Sequence, residues 1–238
     1  MKVTVIHGCR RGGSTYHCTQ QFIEAVRAKT DDSLEVSEFI LAQDAPPFCK
    51  GCMSCFLNGE GTCPHSETVQ PIVAAMQEAD VIVLNSAIYA LDVSGQMKTL
   101  LDHLCYMWMP HRPNPAMFKK VGVTITTTAG AGLSHATKTL ANSLNYWGLL
   151  RVFSFKKAIS ATSWDQIASK KKEKIDREIG KMAGKVVKSV QRANHLRPRT
   201  YTRIVFMLMK GMMKNNNWCK RDQNHWKSQG WLDGATPF

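Results

Sequence analysis

The feature that most constrains the fold is a strict alternation of short apolar runs with segments of helical periodicity. Five runs read as strands, because each is short, apolar and bounded by turn or helix signals. They lie at residues 2–7, 33–40, 80–85, 120–127 and 150–155. The run at 80–85 has no polar alternation at its centre, which is typical of a strand buried on both faces. The pattern predicts an α/β fold with a doubly wound, five-stranded parallel sheet in the order 2-1-3-4-5.

Segments with helical spacing of apolar residues fill the gaps between these runs. They lie at residues 15–29, 68–79, 94–107, 134–147 and 165–193. Beyond Pro198 the pattern changes to a Met-rich apolar segment at 204–213 and then to a polar end that contains three tryptophans. We therefore expect a domain at 1–195, followed at 196–238 by a basic, helical C-terminal extension that contains Met and Trp.

The net charge of +13 is concentrated in the C-terminal third of the chain. Residues 1–150 carry 11 Lys or Arg against 12 Asp or Glu, whereas residues 151–238 carry 20 against 6. This asymmetry indicates an anionic partner for the tail. A lysine run on a solvated helix face is weak evidence for nucleic-acid binding, and we expect no nucleic-acid partner. Two interpretations of the Met-rich segment stay open: peripheral contact with a membrane, or an arm that packs on a second copy in a homodimer or higher oligomer.

Two further features bear on the location of the protein. The first residues run directly from an apolar strand into a Gly-rich loop, without a signal-peptide pattern. The longest apolar stretches fall well below the roughly 20 residues that are needed to cross a bilayer. We therefore expect a cytoplasmic protein with no membrane-spanning segment, in which the eight cysteines are thiols or metal ligands rather than disulfides.

Three loops are expected to form a ligand site, because ligands of open α/β sheets bind where the strand order reverses. The loop at 8–15, Gly-Cys-Arg-Arg-Gly-Gly-Ser-Thr, places glycines, arginines and hydroxyls at a helix N terminus. That composition suits a single phosphate, whereas the Walker and dinucleotide spacings are absent. The apolar loop at 86–93 suits a flat ring, and the small, hydroxyl-rich loop at 126–132 suits its polar edge. Together they describe a mononucleotide such as FMN, although a capped turn and an aromatic packed in the core would explain each loop taken singly.

With these three motifs the sequence resembles the NADPH-dependent FMN reductase family of the flavodoxin-like superfamily, over roughly residues 1–190. The most specific motif is Asn-Ser-Ala-Ile-Tyr-Ala-Leu-Asp-Val-Ser-Gly-Gln-Met-Lys at 85–98. The resemblance implies a flavodoxin-like fold, phosphate contacts in the first loop and ring contacts in the other two. The implied cofactor-binding residues are Cys9, Arg10, Arg11, Gly13, Ser14, Thr15, Ala87, Ile88, Tyr89, Ala90, Leu91, Asp92, Thr127, Thr128, Ala129 and Gly130.

Four cysteines, Cys49, Cys52, Cys55 and Cys63, form the pattern C-x2-C-x2-C-x7-C in the loop at 43–67. The pattern resembles that of the iron–sulfur flavoproteins in the same superfamily, which implies a [4Fe–4S] cluster as a metal centre. Free or redox-active thiols and a zinc site remain as alternatives, although structural zinc prefers two separated pairs of ligands. The remaining cysteines are interpreted as structural thiols, and no pattern assigns a role to His65, His103 or His135.

The expected activity is that of an FMN oxidoreductase, which takes a hydride from NAD(P)H and reduces a quinone, a flavin, a nitroaromatic, a metal ion or a redox protein. Because the cofactor carries this chemistry, no side chain is assigned as a catalytic acid or base. The main alternative is an iron–sulfur flavoprotein that carries electrons to a protein partner. A third is a non-catalytic binding protein, since Cys9, Ala87 and Leu91 depart from the residues usual in the family.

Overall fold

The structure, a computed structural model, describes residues 1–161 and 163–238. Its strands are β1 (Lys2–His7), β2 (Glu35–Ile40), β3 (Val81–Tyr89), β4 (Asp92–Val93), β5 (Val121–Thr128) and β6 (Arg151–Ala158). Five of them form a parallel sheet in the order β2-β1-β3-β5-β6, and the short β4 pairs antiparallel with β3. The predicted fold is confirmed, since this is the order 2-1-3-4-5 with one short extra strand.

Nine helices accompany the sheet in the part of the chain that the structure describes. They are α1 (Ser14–Arg27), α2 (Leu41–Asp44), α3 (Ser54–Leu57), α4 (Ser66–Glu78), α5 (Gly95–His103), α6 (Leu133–Tyr146), α7 (Ser169–Gln191), α8 (Thr200–Lys214) and α9 (Lys220–Ser228). The five helices that periodicity predicts are α1, α4, α5, α6 and α7, with ends displaced by a few residues. None of the described helices is both long and apolar enough to cross a membrane.

The sheet separates two hydrophobic cores. Val81 and Val83 of β3 pack on one face with α1 and α7, whereas Ile82 and Leu84 pack on the other face with α4, α5 and α6. Side chains alternate between the faces of a strand, so a strand covered on both sides needs apolar residues at every position. This is why the run at 80–85 lacks polar alternation.

The C-terminal helices α8 and α9 pack on the body of the protein through a third core. Phe206 and Trp226 are fully buried there and stack at a centroid distance of 4.9 Å. Phe118, from the segment before β5, packs edge-on against Phe206 at 6.0 Å. The tail that the sequence presents as a polar end therefore buries two of its three tryptophans, Trp226 and Trp231, and leaves Trp218 exposed.

Candidate functional site

The three predicted ligand loops converge at the carboxyl end of the sheet. The backbone N–H of Gly8 donates to the carbonyl oxygen of Asn85 at 2.8 Å, which joins the first loop to β3. A Cβ at Gly8 would lie 2.9 Å from that same oxygen and from Ser94 Oγ, so only glycine fits this approach. The buried hydroxyls of Thr15 and Thr127 lie 2.7 Å apart and join the first loop to the third.

The first loop ends at the N terminus of α1, where the structure favours an anion. Gly13 is the N-cap residue, and none of the described residues gives this helix end a side-chain cap. The free N–H groups of that turn and the helix dipole therefore face outward. Arg10 and Arg11 are exposed and belong to no ion pair among the described residues. This end of the site fits a phosphate group.

The Cys9 side chain is buried, unlike those of Arg10 and Arg11 that follow it. Its Sγ donates to Asn85 Oδ1 at 3.2 Å. Burial raises the pKa of this thiol to about 12, so it remains protonated at neutral pH. The Cys9 side chain is thus a packing group that joins the first loop to Asn85.

The second loop is a β-hairpin rather than the open loop that composition predicts. β3 continues to Tyr89, and Tyr89 pairs with Asp92 of β4 across a two-residue turn. Ala90 and Leu91 occupy this turn with φ of 48° and 68°. Such turns normally contain Asn or Gly. Because neither residue is present here, the sequence does not predict a hairpin. Left-handed backbone at non-glycine residues costs about 1 kcal/mol or more each and is found preferentially at ligand sites.

The hairpin presents an apolar surface to solvent beside the third loop, where Leu91 lies against Gly132. The Tyr89 side chain is 57% exposed and the Leu91 side chain 60%. The Asp92 carboxylate accepts from Thr139 Oγ1 at 3.1 Å and lies 3.2 Å from His135 Nε2. Asp92 therefore ties the hairpin to α6, while Tyr89 and Leu91 form a platform suited to a flat ring.

The third loop closes the site on the side of β5. Thr128 is buried; its Oγ1 donates to the Ala131 carbonyl oxygen at 3.0 Å and accepts from the Gly130 N–H at 3.2 Å. Ala129 and Gly130 are exposed, and a Cβ at Gly130 would meet nothing within 4 Å. Small exposed residues let a ligand approach the backbone closely, so this loop fits the polar edge of a ring.

A prediction follows from Gly132, which has a φ of +90° and lies against the hairpin. A Cβ there would lie 2.7 Å from the Cα and the carbonyl oxygen of Leu91. Gly132→Ala is expected to lower the free energy of unfolding by about 1–3 kcal/mol. Chemical denaturation measures this change. The control Gly130→Ala should change stability by less than about 0.5 kcal/mol, and equal effects of the two changes would contradict the close approach.

A buried polar network lies under the ligand loops, and little in the sequence predicts it. Asn85 Nδ2 donates to His7 Nδ1 at 2.7 Å and to Thr19 Oγ1 at 3.0 Å. His7 Nε2 lies 3.1 Å from Glu38 Oε2. Burial lowers the pKa of His7, which favours a neutral ring whose Nε2–H donates to Glu38. The only sequence signal is that His7 and Asn85 both end apolar strands.

The four clustered cysteines line one cleft at the C-terminal end of α5. Cys49 and Cys52 are exposed, while Cys55 and Cys63 are half-buried. Further lining residues are Lys50, Gly51, Met53, Phe56, Pro64, His65, Asp102, His103 and Cys105. Cys105 thus faces the same cleft, although the sequence pattern marks it as structural only. Soft sulfur ligands beside apolar walls are a donor set that fits an iron–sulfur cluster.

Two histidines join this cleft. Cys63 Sγ and one ring nitrogen each of His65 and His103 lie within 4.8 Å of one another. His65 Nδ1 is 3.0 Å from His103 Nε2, and His103 Nδ1 is 2.9 Å from the Thr99 carbonyl oxygen. A proton on Nδ1 that bonds to this carbonyl leaves Nε2 as an acceptor, which is the orientation of a metal-ligating histidine. Sequence spacing finds no partner for either histidine, because His65 precedes α4 and His103 is the last residue of α5.

Arg112 connects the cysteine loop to the C-terminal extension. Its guanidinium donates to the carbonyl oxygens of Cys55 and Phe56 at 2.5 and 3.4 Å. The same guanidinium forms an ion pair with the fully buried Asp222, whose other oxygen lies 2.8 Å from His111 Nδ1. The extension therefore supports the cysteine loop, a role that the sequence does not reveal.

The comparisons with solved structures bear on the fold. An FMN-dependent NADH-azoreductase of Bacillus anthracis, solved with FMN, superposes with a TM-score of 0.60 at 12% identity, covering 79% of this chain and 100% of that one. An NAD(P)H:acceptor flavoenzyme of Paracoccus denitrificans superposes with a TM-score of 0.55 at 16% identity, covering 81% of this chain and 98% of that one. At these identities the similarity establishes a shared fold, which confirms the flavodoxin-like architecture.

Sequence comparison identifies relatives and a family. An iron–sulfur flavoprotein of Archaeoglobus fulgidus is 27% identical over 154 residues, which are 64% of this chain and 66% of the relative. One from Methanocaldococcus jannaschii is 38% identical over 103 residues, which are 43% of this chain and 51% of the relative. The chain thus spans between half and two thirds of the length of these two relatives. The model of the NADPH-dependent FMN reductase family matches residues 1–164, and the chain belongs to that family.

Proposed function

We propose that this protein is an FMN oxidoreductase that takes reducing equivalents from NADH or NADPH. The observation that carries the proposal is the pairing of an uncapped helix N terminus, flanked by Arg10 and Arg11, with the strained, exposed hairpin at 88–93. FMN, when bound, supplies the chemistry of hydride acceptance from a nicotinamide and electron delivery to an acceptor. Family membership and the fold of the solved flavoenzymes support this assignment.

In this proposal the chain's own residues bind FMN and orient its ring. The N terminus of α1 and the arginines hold a phosphate, because free N–H groups and cationic side chains both favour an anion. The exposed platform of Tyr89 and Leu91 packs against a ring and excludes water from one face. The exposed backbone of 129–130 lets polar atoms at the ring edge approach this loop closely. No proton transfer by a side chain is required.

The test is an anaerobic titration of purified protein with NADH and, separately, with NADPH. We expect a flavin absorption spectrum that bleaches with one nicotinamide per flavin, and the more effective nicotinamide identifies the co-substrate. Acceptor turnover is then compared among a quinone, free flavin and a nitroaromatic. Protein that neither carries FMN nor binds added FMN would overturn the proposal. If FMN is bound but neither NADH nor NADPH bleaches it, the protein is a binding protein or an electron carrier.

A second candidate, an electron carrier with an iron–sulfur cluster, is favoured by the cleft that Cys49, Cys52, Cys55 and Cys63 line. The matched relatives are named iron–sulfur flavoproteins, which supports it. A bound cluster would supply one-electron transfer. Helix α5 begins beside the hairpin and ends in the cleft at His103, so residues 95 and 103 are about 12 Å apart by helix rise. The cleft therefore lies near the proposed FMN loops, and this proximity supports a route for electrons from FMN to a redox partner.

Iron and acid-labile sulfide assays on anaerobically purified protein test the second candidate. A cluster held by four thiolates should be lost in Cys52→Ser, whereas His65→Asn should retain most of the iron. The opposite result, with metal lost in His65→Asn and kept in Cys52→Ser, would assign a single ion to Cys63, His65 and His103. If the parent protein contains neither iron nor any other bound metal, the cysteines are free or redox-active thiols. We propose a cytoplasmic location, where such thiols stay reduced.

A further inference from the structure

Helix α8 has one buried face and one exposed face. One face, which includes Val205, Phe206 and Met213, is buried in the third core of the protein. The opposite face is exposed although it is apolar: Tyr201, Ile204, Met207, Leu208 and Met212 are each between 48% and 60% exposed. These five residues, which we call the α8 patch, recur at helical spacing and form one continuous stripe.

The C terminus of the chain extends the α8 patch. Thr236 and Phe238 lie against Ile204, Met207 and Leu208 and form with them an open, mainly apolar cleft. Phe238 is itself 39% exposed. Contiguous apolar surface of this kind marks an interaction site rather than chance exposure.

Basic residues flank the patch. Arg203, Lys210 and Lys214 lie along one edge of α8, between its buried face and the patch. The surrounding chain has the same sign of charge: the residues between Glu178 and Asp222 include 11 Lys or Arg and no Asp or Glu. The occupant of this surface must therefore be both anionic and apolar.

We propose that α8 lies on the surface of a bilayer that contains anionic lipids, with the α8 patch buried in the headgroup region. Amphipathic helices with basic flanks bind membranes in this way, through apolar burial and attraction to anionic headgroups. A second copy of the chain is a poorer occupant, because a symmetric interface would bring these basic flanks together. A nucleic acid would satisfy the charge but would leave the apolar stripe exposed to water.

Sedimentation with vesicles tests the proposal on the full-length protein. We expect binding to vesicles of phosphatidylglycerol and phosphatidylcholine in equal parts, with little binding to phosphatidylcholine alone. Leu208→Ser should weaken binding about tenfold or more, because it removes a buried leucine side chain. Lys210→Glu should weaken it about fivefold or more and reduce its sensitivity to salt.

The matched control is Leu57→Ser, which changes a side chain with 58% exposure on α3, outside the α8 patch. It should bind vesicles as the parent protein does, and thermal denaturation should show all variants folded. Equal sedimentation with both kinds of vesicle, or equal effects of Leu57→Ser and Leu208→Ser, would overturn the proposal. Analytical ultracentrifugation without lipid tests the alternative occupant. If the parent protein is a dimer and Leu208→Ser is a monomer, the α8 patch binds a second copy of the chain and the membrane proposal is wrong. These results do not depend on flavin binding, so they are separable from the proposed oxidoreductase function.

Discussion

Asp222→Ala is expected to lower the free energy of unfolding by about 3 kcal/mol, the largest single effect on stability that we predict. Asp222 is fully buried, and it forms an ion pair with Arg112, which is itself only 8% exposed. Removal of the carboxylate leaves a buried guanidinium without its main counter-charge. The effect should stay near the low end of the 3–5 kcal/mol typical of such pairs, at about 3 kcal/mol, because Glu60 remains 3.6 Å from Arg112.

Urea denaturation measures this loss, and amide hydrogen exchange locates it. Exchange should accelerate in the cysteine loop as well as in α9, because Arg112 donates to the carbonyl oxygens of Cys55 and Phe56. The control Asp233→Ala removes an exposed carboxylate from the same extension and should change stability by less than about 0.5 kcal/mol. Similar stabilities for the two variants, or acceleration confined to α9, would show that Arg112 does not couple the extension to the loop.

Ser14→Asp is expected to weaken FMN binding about 100-fold or more while leaving the FMN-free protein at least as stable. Ser14 is the first residue of α1, so an aspartate there occupies the proposed phosphate site with a negative charge. A phosphate would lose charge-assisted bonds and meet repulsion, and each such bond contributes about 1.5–3 kcal/mol. Without ligand the same carboxylate favours the helix N terminus by about 0.3–1 kcal/mol.

Fluorescence titration with FMN and thermal denaturation of the FMN-free protein make the two measurements. The matched control is Ser169→Asp, since Ser169 is the first residue of α7 and Ala168 provides no side-chain cap there. This control should stabilise its helix to a similar extent and leave FMN affinity unchanged. Unchanged affinity in Ser14→Asp would place the phosphate elsewhere, and lost affinity together with lost stability would attribute the effect to misfolding.

Local pattern was sufficient for the sheet, the helices that cover it and the position of the ligand loops. The apolar run at 80–85 predicts a strand buried on both faces, and β3 has this environment. The Gly-rich loop before α1 predicts an anion site, and an uncapped helix N terminus lies there. The fold prediction succeeds because periodicity depends on residues close together in the chain, whereas the anion site stays a prediction.

Tertiary structure alone decided the hairpin, the histidine pair and the role of the extension. The turn at Ala90 and Leu91 contains no residue that favours left-handed backbone, and the contact between Leu91 and Gly132 helps to hold it. Arg112 and Asp222 are 110 residues apart in sequence and meet only because α9 packs on the body. Strand and helix patterns report the burial of each segment, and they carry no information about which distant side chains share a buried site. The sequence by itself therefore determined the fold and the kind of ligand it suits, whereas packing determined which residues hold the cysteine loop in place.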